Sequence, residues 1–202
     1  MPLRVQSDQT TADWRVIALH GLGSDRYDLF GLLTELEGEI ERVSIEAPWP
    51  YLQGFAWFDI EWTDAGIRFD PAQVRESAEL LQRSIDGLPP VANTVLMGFS
   101  QGGMMALQEV LARPEKYAGA MILSSRWPEP EKLPSCVPPV LVQHGRYDEV
   151  IPVSEGQRIR DELRTISDAV VLREYPMGHA VSPDSFDDLQ SWMRNLIATT
   201  EA

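Results

Sequence analysis

Ser100 lies in the middle of a G-x-S-x-G pattern at residues 98–102, where it could act as a nucleophile. An apolar run precedes the pattern at residues 95–97, and a segment with helical character follows at residues 101–112. Strand, tight turn and helix in this order make a serine project from the carboxyl edge of a sheet. We therefore predict that Ser100 is catalytic. The competing interpretation is a strand-to-helix turn whose serine only caps the helix.

A catalytic serine needs a base that takes its proton. The chain has three histidines: His20, His144 and His179. His20 and His144 end their strands, whereas His179 lies in the loop after the last strand. All three could therefore reach the carboxyl edge of the sheet, so position alone does not decide between them. His144 lies in the turn of its own strand, and we expect it to brace that loop by hydrogen bonds.

The position of an acid favours one histidine. Asp148 follows a predicted strand and can reach sideways to the next loop, which carries His179. Ser100, Asp148 and His179 then occur in the chain order of α/β-hydrolases. We predict that His179 is the base and that Asp148 orients it. Glu149 and Asp184 are the alternative acids.

Acyl transfer also needs two backbone N–H groups that stabilise the oxyanion. The residue after the nucleophile, Gln101, can supply one of them. A glycine-rich loop at residues 20–24 follows the first long strand and can supply the other, for which Leu22 is the candidate. The alternative is that Gly21 and Gly23 only form a turn.

Predicted strands and helices alternate along the whole chain. This order predicts one α/β domain over residues 1–202, with a mainly parallel sheet, helices on both faces and no full cap domain. Residues 49–69 lack a clear period and are predicted to combine loop and edge-strand character. The predicted strands are 3–6, 14–20, 43–47, 95–97, 119–124, 139–145 and 169–175, and the predicted helices are 27–37, 71–85, 101–112, 152–164 and 183–197. Residues 126–139, with five prolines, are predicted to be a surface loop, and residues 199–202 to fray.

The composition argues against several classes of function. A formal charge of −14 disfavours binding to nucleic acid and to anionic membranes. No apolar run is long enough to span a bilayer, so we expect no stable membrane insertion and a cytoplasmic location. Cys136 is the single cysteine, and we expect a buried or half-exposed structural thiol without a metal.

Six motifs together resemble those of the phospholipase/carboxylesterase family of small α/β-hydrolases. They are HGLGSDRYD at 20–28, APWP at 47–50, WFD at 57–59, GFSQGG at 98–103, HGRYD at 144–148 and YPMGH at 175–179. The resemblance implies Ser100, Asp148 and His179 as the triad, with Leu22 and Gln101 as oxyanion donors. It also implies an open hydrophobic acyl groove, with no cofactor and no metal.

Residues 49–56 and 125–139 depart from the family pattern and are expected to border the groove. Gly23, Trp57 and Met177 are candidate substrate-binding residues, although core packing explains Trp57 and Met177 equally well. We expect a carboxylesterase for short to medium acyl esters. An acyl-thioesterase or lysophospholipase is the alternative, and a catalytically silent binding protein is the non-enzyme alternative. Aromatic residues between Tyr51 and Trp62, expected to be exposed, could also support a homodimer.

Overall fold

Strands and helices alternate in the computed structural model, which describes residues 2–63 and 66–201. Seven strands form one sheet in the order β1-β3-β2-β8-β9-β10-β11, and only β1 runs antiparallel to its neighbour. The strands are β1 Val5–Ser7, β2 Trp14–Leu19, β3 Ile40–Ile45, β4 Trp49–Tyr51, β5 Gly54–Ala56, β6 Glu61–Thr63, β7 Gly66–Arg68, β8 Asn93–Phe99, β9 Gly119–Leu123, β10 Val140–Gly145 and β11 Val170–Tyr175. Strands β2, β9 and β10 are buried along their whole length, as expected for parallel strands that are covered on both faces.

Five α-helices cover the two faces of the sheet. They are α1 Asp28–Thr34, α2 Pro71–Asp86, α3 Gln101–Ala112, α4 Val153–Arg164 and α5 Pro183–Thr200. Apolar residues of α2, α3 and α4 pack on one face, and those of α1 and α5 pack on the other. This arrangement confirms the predicted fold class. It also brings the carboxyl ends of all six parallel strands to one edge, where a site is expected in such sheets.

The segment between β3 and α2 forms two hairpins instead of edge strands of the main sheet. Strands β4 and β5 pair with each other, as do β6 and β7. Residues 64 and 65, between β6 and β7 in the chain, lie outside the described residues. Both hairpins lie at the carboxyl edge of the main sheet, where they contribute to the site.

Several boundaries differ from the sequence-based prediction. Strand β3 begins at Ile40 and not at residue 43, and helix α5 continues to Thr200, so the predicted fraying at 199 and 200 is wrong. Residue 202 lies outside the described residues. Cys136 is exposed, which corrects the expectation of a buried or half-exposed thiol. In the described residues, no helix combines the length and the apolar character that crossing a membrane requires.

Candidate active site

The turn between β8 and α3 holds Ser100 in a strained backbone conformation. Its φ of 55° and ψ of −118° lie in a region that non-glycine residues rarely adopt. A Cβ on Gly98 would lie 2.3 Å from the Gly102 carbonyl oxygen, and one on Gly102 would lie 2.0 Å from the Leu19 carbonyl oxygen. Both glycines are therefore required by close backbone contacts.

His179 connects Ser100 and Asp148 through its two ring nitrogens. Its Nε2 lies 3.0 Å from the Ser100 Oγ, and its Nδ1 lies 2.7 Å from the Asp148 Oδ2. An ionised carboxylate only accepts hydrogen bonds, so Nδ1–H donates to Asp148. Nε2 is then left as the acceptor for the serine hydroxyl. The arrangement can move a proton from Ser100 to His179 while Asp148 fixes the tautomer of the ring.

The Asp148 carboxylate is buried and held by its own turn. Its Oδ1 accepts hydrogen bonds from the N–H groups of Val150, at 2.9 Å, and Ile151, at 2.8 Å. The His144 Nε2–H donates to the Ile151 carbonyl at 2.8 Å, so this histidine stabilises the same loop. The alternative base His144 is thus occupied within its own turn, as its position in the sequence predicted.

The alternative acids lie elsewhere. Glu149 and Asp184 are both exposed, and neither makes a hydrogen bond to His179 within the described part of the chain. Only Asp148, among the three candidate carboxylates, combines burial with contact to the histidine.

The loops after β10 and β11 are tied to each other by backbone contacts. The Arg146 N–H donates to the Tyr175 carbonyl at 2.8 Å, and the Tyr147 N–H donates to the Met177 carbonyl at 3.0 Å. These bonds set the distance between Asp148 and His179. Met177 therefore contributes its backbone to the site, and its side chain does not line the cavity beside Ser100, which corrects its assignment as a groove residue.

The glycine-rich loop after β2 is held in place by the first hairpin. The Gly23 N–H donates to the Phe55 carbonyl, and the Phe55 N–H donates to the Ser24 carbonyl, both at 2.8 Å. Gly23, at φ 80°, thus has a structural role here and is not part of the cavity wall, whereas Leu22 and Ser24 are.

Both predicted oxyanion donors border the cavity. Gln101 is the first residue of α3, and the N–H of a first helical residue has no partner within its own helix. The Leu22 N–H makes no hydrogen bond to residues 2–63 or 66–201. Leu19 and Gly98 are paired in register between β2 and β8, which brings these two amides to adjacent strand ends.

His20 is fully buried behind this loop and is not in contact with Ser100. Its Nε2 accepts a hydrogen bond from the Ala47 N–H at 3.0 Å, so its Nδ1–H must donate to the Gly21 carbonyl at 2.8 Å. Burial lowers the pKa of His20 below its ordinary value, although the hydrogen bond to Gly21 and nearby carboxylates partly oppose this shift. His20 is thus a neutral structural residue.

The Gln101 side chain clamps the backbone of the Trp57 segment. Its Oε1 accepts from the Trp57 N–H at 2.8 Å, and its Nε2 donates to the Phe58 carbonyl at 2.7 Å. Trp57 is 0% exposed, and its indole N–H donates to the His20 carbonyl at 2.9 Å. The expectation that Trp57 lines the groove is therefore wrong, as is the expectation that it and Phe58 are exposed. The sequence pattern contained no signal for the side-chain role of Gln101.

A cavity of about 270 Å³ opens beside Ser100 and His179. Its wall is mostly apolar and comes from the loop after β2, the segment around the second hairpin, the turn between β8 and α3 with the start of α3, and the loops after β9, β10 and β11. The apolar side chains are Leu22, Phe58, Ile60, Ile67, Phe69, Phe99, Met104, Val150 and Ile151. Both departing segments were expected to border the groove; residues 125–139 do so through Arg126, but residues 49–56 do not. Arg126 was not among the predicted site residues, although its place just after a strand at the carboxyl edge could have indicated it.

The sheet order, the strained serine turn and the histidine between serine and aspartate define the class of α/β-hydrolases. The model of the Phospholipase/Carboxylesterase family matches residues 2–197, and the chain belongs to this family. The resemblance of the six motifs is thereby confirmed.

Known proteins of similar sequence and structure carry esterase and thioesterase names. The rice (Oryza sativa subsp. japonica) protein named "Probable carboxylesterase" is 28% identical over 72% of this chain, which spans 60% of the rice protein's length. Acyl-protein thioesterase 1 of Cryptococcus neoformans is also 28% identical, over 88% of this chain and 90% of its own length. The crystal structure of esterase PE8 is 28% identical, with a TM-score of 0.83 over 96% of this chain and 98% of the esterase.

Proposed function

We propose that the protein is a serine hydrolase that cleaves carboxylic esters through an acyl-enzyme. The observation that carries this proposal is the hydrogen-bonded chain from Ser100 through His179 to Asp148, with distances of 3.0 and 2.7 Å. Its orientation is the one in which the histidine accepts the serine proton. The mechanism uses only groups of the protein and water, so it requires no cofactor.

The first half of the reaction acylates the serine. As the Ser100 Oγ bonds to the acyl carbon, its proton moves to the His179 Nε2, and Asp148 stabilises the imidazolium. The carbonyl oxygen becomes an oxyanion, which the N–H groups of Leu22 and Gln101 stabilise. The bond to the leaving alcohol then breaks, and the alcohol oxygen takes the proton from His179.

Water completes the reaction. His179 takes a proton from a water molecule that attacks the acyl-enzyme, and the same two amides hold the second oxyanion. When the bond between the acyl carbon and the Ser100 Oγ breaks, the proton returns to the serine and the acid leaves. The cavity of about 270 Å³ is near the lower limit of ligand sites, roughly 300 Å³, which favours acyl groups of short to medium length.

An acyl-thioesterase is the second candidate, because the Cryptococcus neoformans relative carries that name. A hexanoyl thioester of N-acetylcysteamine and p-nitrophenyl hexanoate present the same acyl group to the cavity. Comparable or greater kcat/KM on the thioester would favour this candidate. Lysophospholipid cleavage would use the same triad. The cytoplasmic location and the homodimer stay predictions from the sequence.

Labelling with a fluorophosphonate probe distinguishes the proposed serine hydrolase from the alternative, a catalytically silent binding protein. We expect labelling of the wild type, none of Ser100→Ala, and slow labelling of Asp148→Asn. The Asp148→Asn variant should also lose roughly 10⁴-fold in kcat, because an amide favours the wrong tautomer of His179. Ser154→Ala removes an exposed serine on α4 and should label like the wild type. Equal labelling of the wild type and Ser100→Ala would refute the proposal.

A further inference from the structure

Arg126 lies at the carboxyl edge of the sheet, immediately beside the nucleophile. It follows Ser125, whose hydroxyl donates a hydrogen bond to the Ser100 carbonyl at 2.7 Å. Its side chain contributes to the wall of the same cavity that contains Ser100 and His179. The residue begins the proline-rich segment 126–139, and its place in the cavity wall makes it a candidate for a substrate contact.

The Arg126 guanidinium has unused hydrogen-bonding capacity. Its Nε is buried and has no hydrogen-bond partner among the residues that the structure describes. Nor does the side chain form an ion pair with any of the carboxylates in that part of the chain, although the sequence contains 31 Asp and Glu against 17 Lys and Arg. A buried donor without a partner costs free energy, so a ligand group that accepts its hydrogen bond would be favoured.

Among the described residues that line the cavity, Arg126 is the one with a permanent positive charge. Asp28 also lines the cavity, but it is exposed and lies beyond ion-pair distance of Arg126. His179 is the proton carrier of the proposed mechanism. A guanidinium presents parallel N–H groups that fit the two oxygens of a carboxylate. An anionic group of the substrate is the ligand that matches this position.

The geometry of acyl transfer decides which part of an ester would reach Arg126. The carbonyl oxygen must face the Leu22 and Gln101 amides, and the leaving alcohol must lie beside His179, which gives it a proton. The acyl chain would then extend along the apolar part of the wall, which includes Ile60, Ile67 and Phe69.

The contacts of Arg126 place it on this acyl wall. The rings of Phe58 and Phe69 are 5.2 Å apart, and the Arg126 guanidinium lies 6.0 Å from the centre of the Phe69 ring. The Phe58 carbonyl is in turn held by the Gln101 side chain. Because its contact is with the aromatic part of the wall, the guanidinium is assigned to the acyl chain and not to the leaving group.

We propose that Arg126 selects acyl groups that carry a carboxylate at the end distant from the scissile bond. The physiological substrates would then be half-esters, or half-thioesters, of dicarboxylic acids. The proposal rests on the proposed serine-hydrolase function and adds a class of acyl group to it. The methylene groups of the diacid would contact Ile67 and Phe69, while its free carboxylate would pair with Arg126.

Two acyl donors of equal length test the proposal. Mono-p-nitrophenyl adipate and p-nitrophenyl hexanoate differ only in the terminal carboxylate, and spontaneous hydrolysis is subtracted from both rates. We expect the ratio of kcat/KM for adipate to kcat/KM for hexanoate to fall about tenfold in Arg126→Met and to be largely kept in Arg126→Lys. Arg173→Met removes an exposed charge on β11 and should leave the ratio unchanged.

A second pair of esters tests whether Arg126 recognises a carboxylate on the acyl group or one on the leaving group. In 4-carboxyphenyl hexanoate and phenyl hexanoate, the carboxylate is on the leaving group, and we expect Arg126→Met to leave their ratio unchanged. An unchanged adipate ratio in Arg126→Met, or a change confined to the second pair, would overturn the proposal. Loss of both hexanoate hydrolysis and fluorophosphonate labelling in Arg126→Met would also overturn it, because Arg126 would then support the site's structure. Failure of the proposed function is distinct, since the wild type would then neither label nor hydrolyse any ester.

Discussion

Replacing Gln101 with methionine separates the two roles that the structure gives this residue. Its backbone N–H faces the proposed oxyanion, and its side chain clamps the backbone of Trp57 and Phe58. Methionine has a similar length and volume and keeps the backbone N–H. It can neither accept the Trp57 N–H nor donate to the Phe58 carbonyl. The substitution therefore removes the clamp and leaves the proposed catalytic amide.

The magnitude follows from the groups that lose their partners. Gln101 is 2% exposed, and both Trp57 and Phe58 are 0% exposed, so water cannot replace the lost hydrogen bonds. A buried backbone group without a partner costs about 1–3 kcal/mol. Two such groups give an expected loss of about 2–6 kcal/mol in the free energy of unfolding. This is a large fraction of the roughly 5–15 kcal/mol that stabilises a typical protein.

Urea unfolding followed by tryptophan fluorescence measures this loss. Gln108→Met is the matched control, since Gln108 lies on the same helix and its side chain makes no hydrogen bond to described residues. The control should change the free energy of unfolding by less than about 0.5 kcal/mol. Below the unfolding transition, Gln101→Met should still be labelled by a fluorophosphonate, because the residue 101 amide remains.

Two results would refute this reasoning. If Gln101→Met unfolds at the same urea concentration as the wild type, the side-chain hydrogen bonds do not stabilise the Trp57 segment. If it is as stable as the wild type and also loses labelling, the side chain acts in the reaction instead of in the support of the loop.

Two further predictions concern the loop that carries Leu22. Gly54→Ala would place a Cβ 2.2 Å from the Gly23 carbonyl oxygen. We therefore expect displacement of the loop and at least a tenfold loss of kcat/KM on p-nitrophenyl hexanoate. As a control, Gly31→Ala, with no atom within 4 Å of the added Cβ, should retain full activity. Because burial lowers the pKa of His20, the unfolded chain takes up a proton below about pH 6.5 that the folded protein excludes. The free energy of unfolding should therefore fall as the pH is lowered below about 6.5, and urea titrations of His20→Asn should show a weaker pH dependence, whereas an equal pH dependence in both proteins would contradict the prediction.

The sequence alone was sufficient for the features that depend on local order along the chain. Continuous apolar strands alternate with helices, so a parallel sheet covered on both faces follows from the pattern. Parallel strands share one carboxyl edge, and Ser100, Asp148 and His179 each follow a strand. Their convergence could therefore be predicted before any distance was known.

The long-range contacts of the loops could not be predicted in this way. Trp57 belongs to a segment without a regular period, and nothing local indicates that its indole N–H reaches the His20 carbonyl. The same holds for the side chain of Gln101, whose partners lie more than forty residues away in the chain. Hydrophobicity indicated aromatic residues near the site, but not which of them would be covered.

The local pattern of the chain thus determined the fold, the nucleophile and the order of the triad. The tertiary structure decided the role of His20, which the sequence left open, and supplied the hydrogen-bond partners that distinguish the three histidine rings. His20 bonds to Ala47, His144 bonds to Ile151, and His179 alone lies between a serine and an aspartate. The tertiary structure also brought Arg126 into the cavity, because the wall is assembled from loops that are far apart in sequence and meet only in the folded protein.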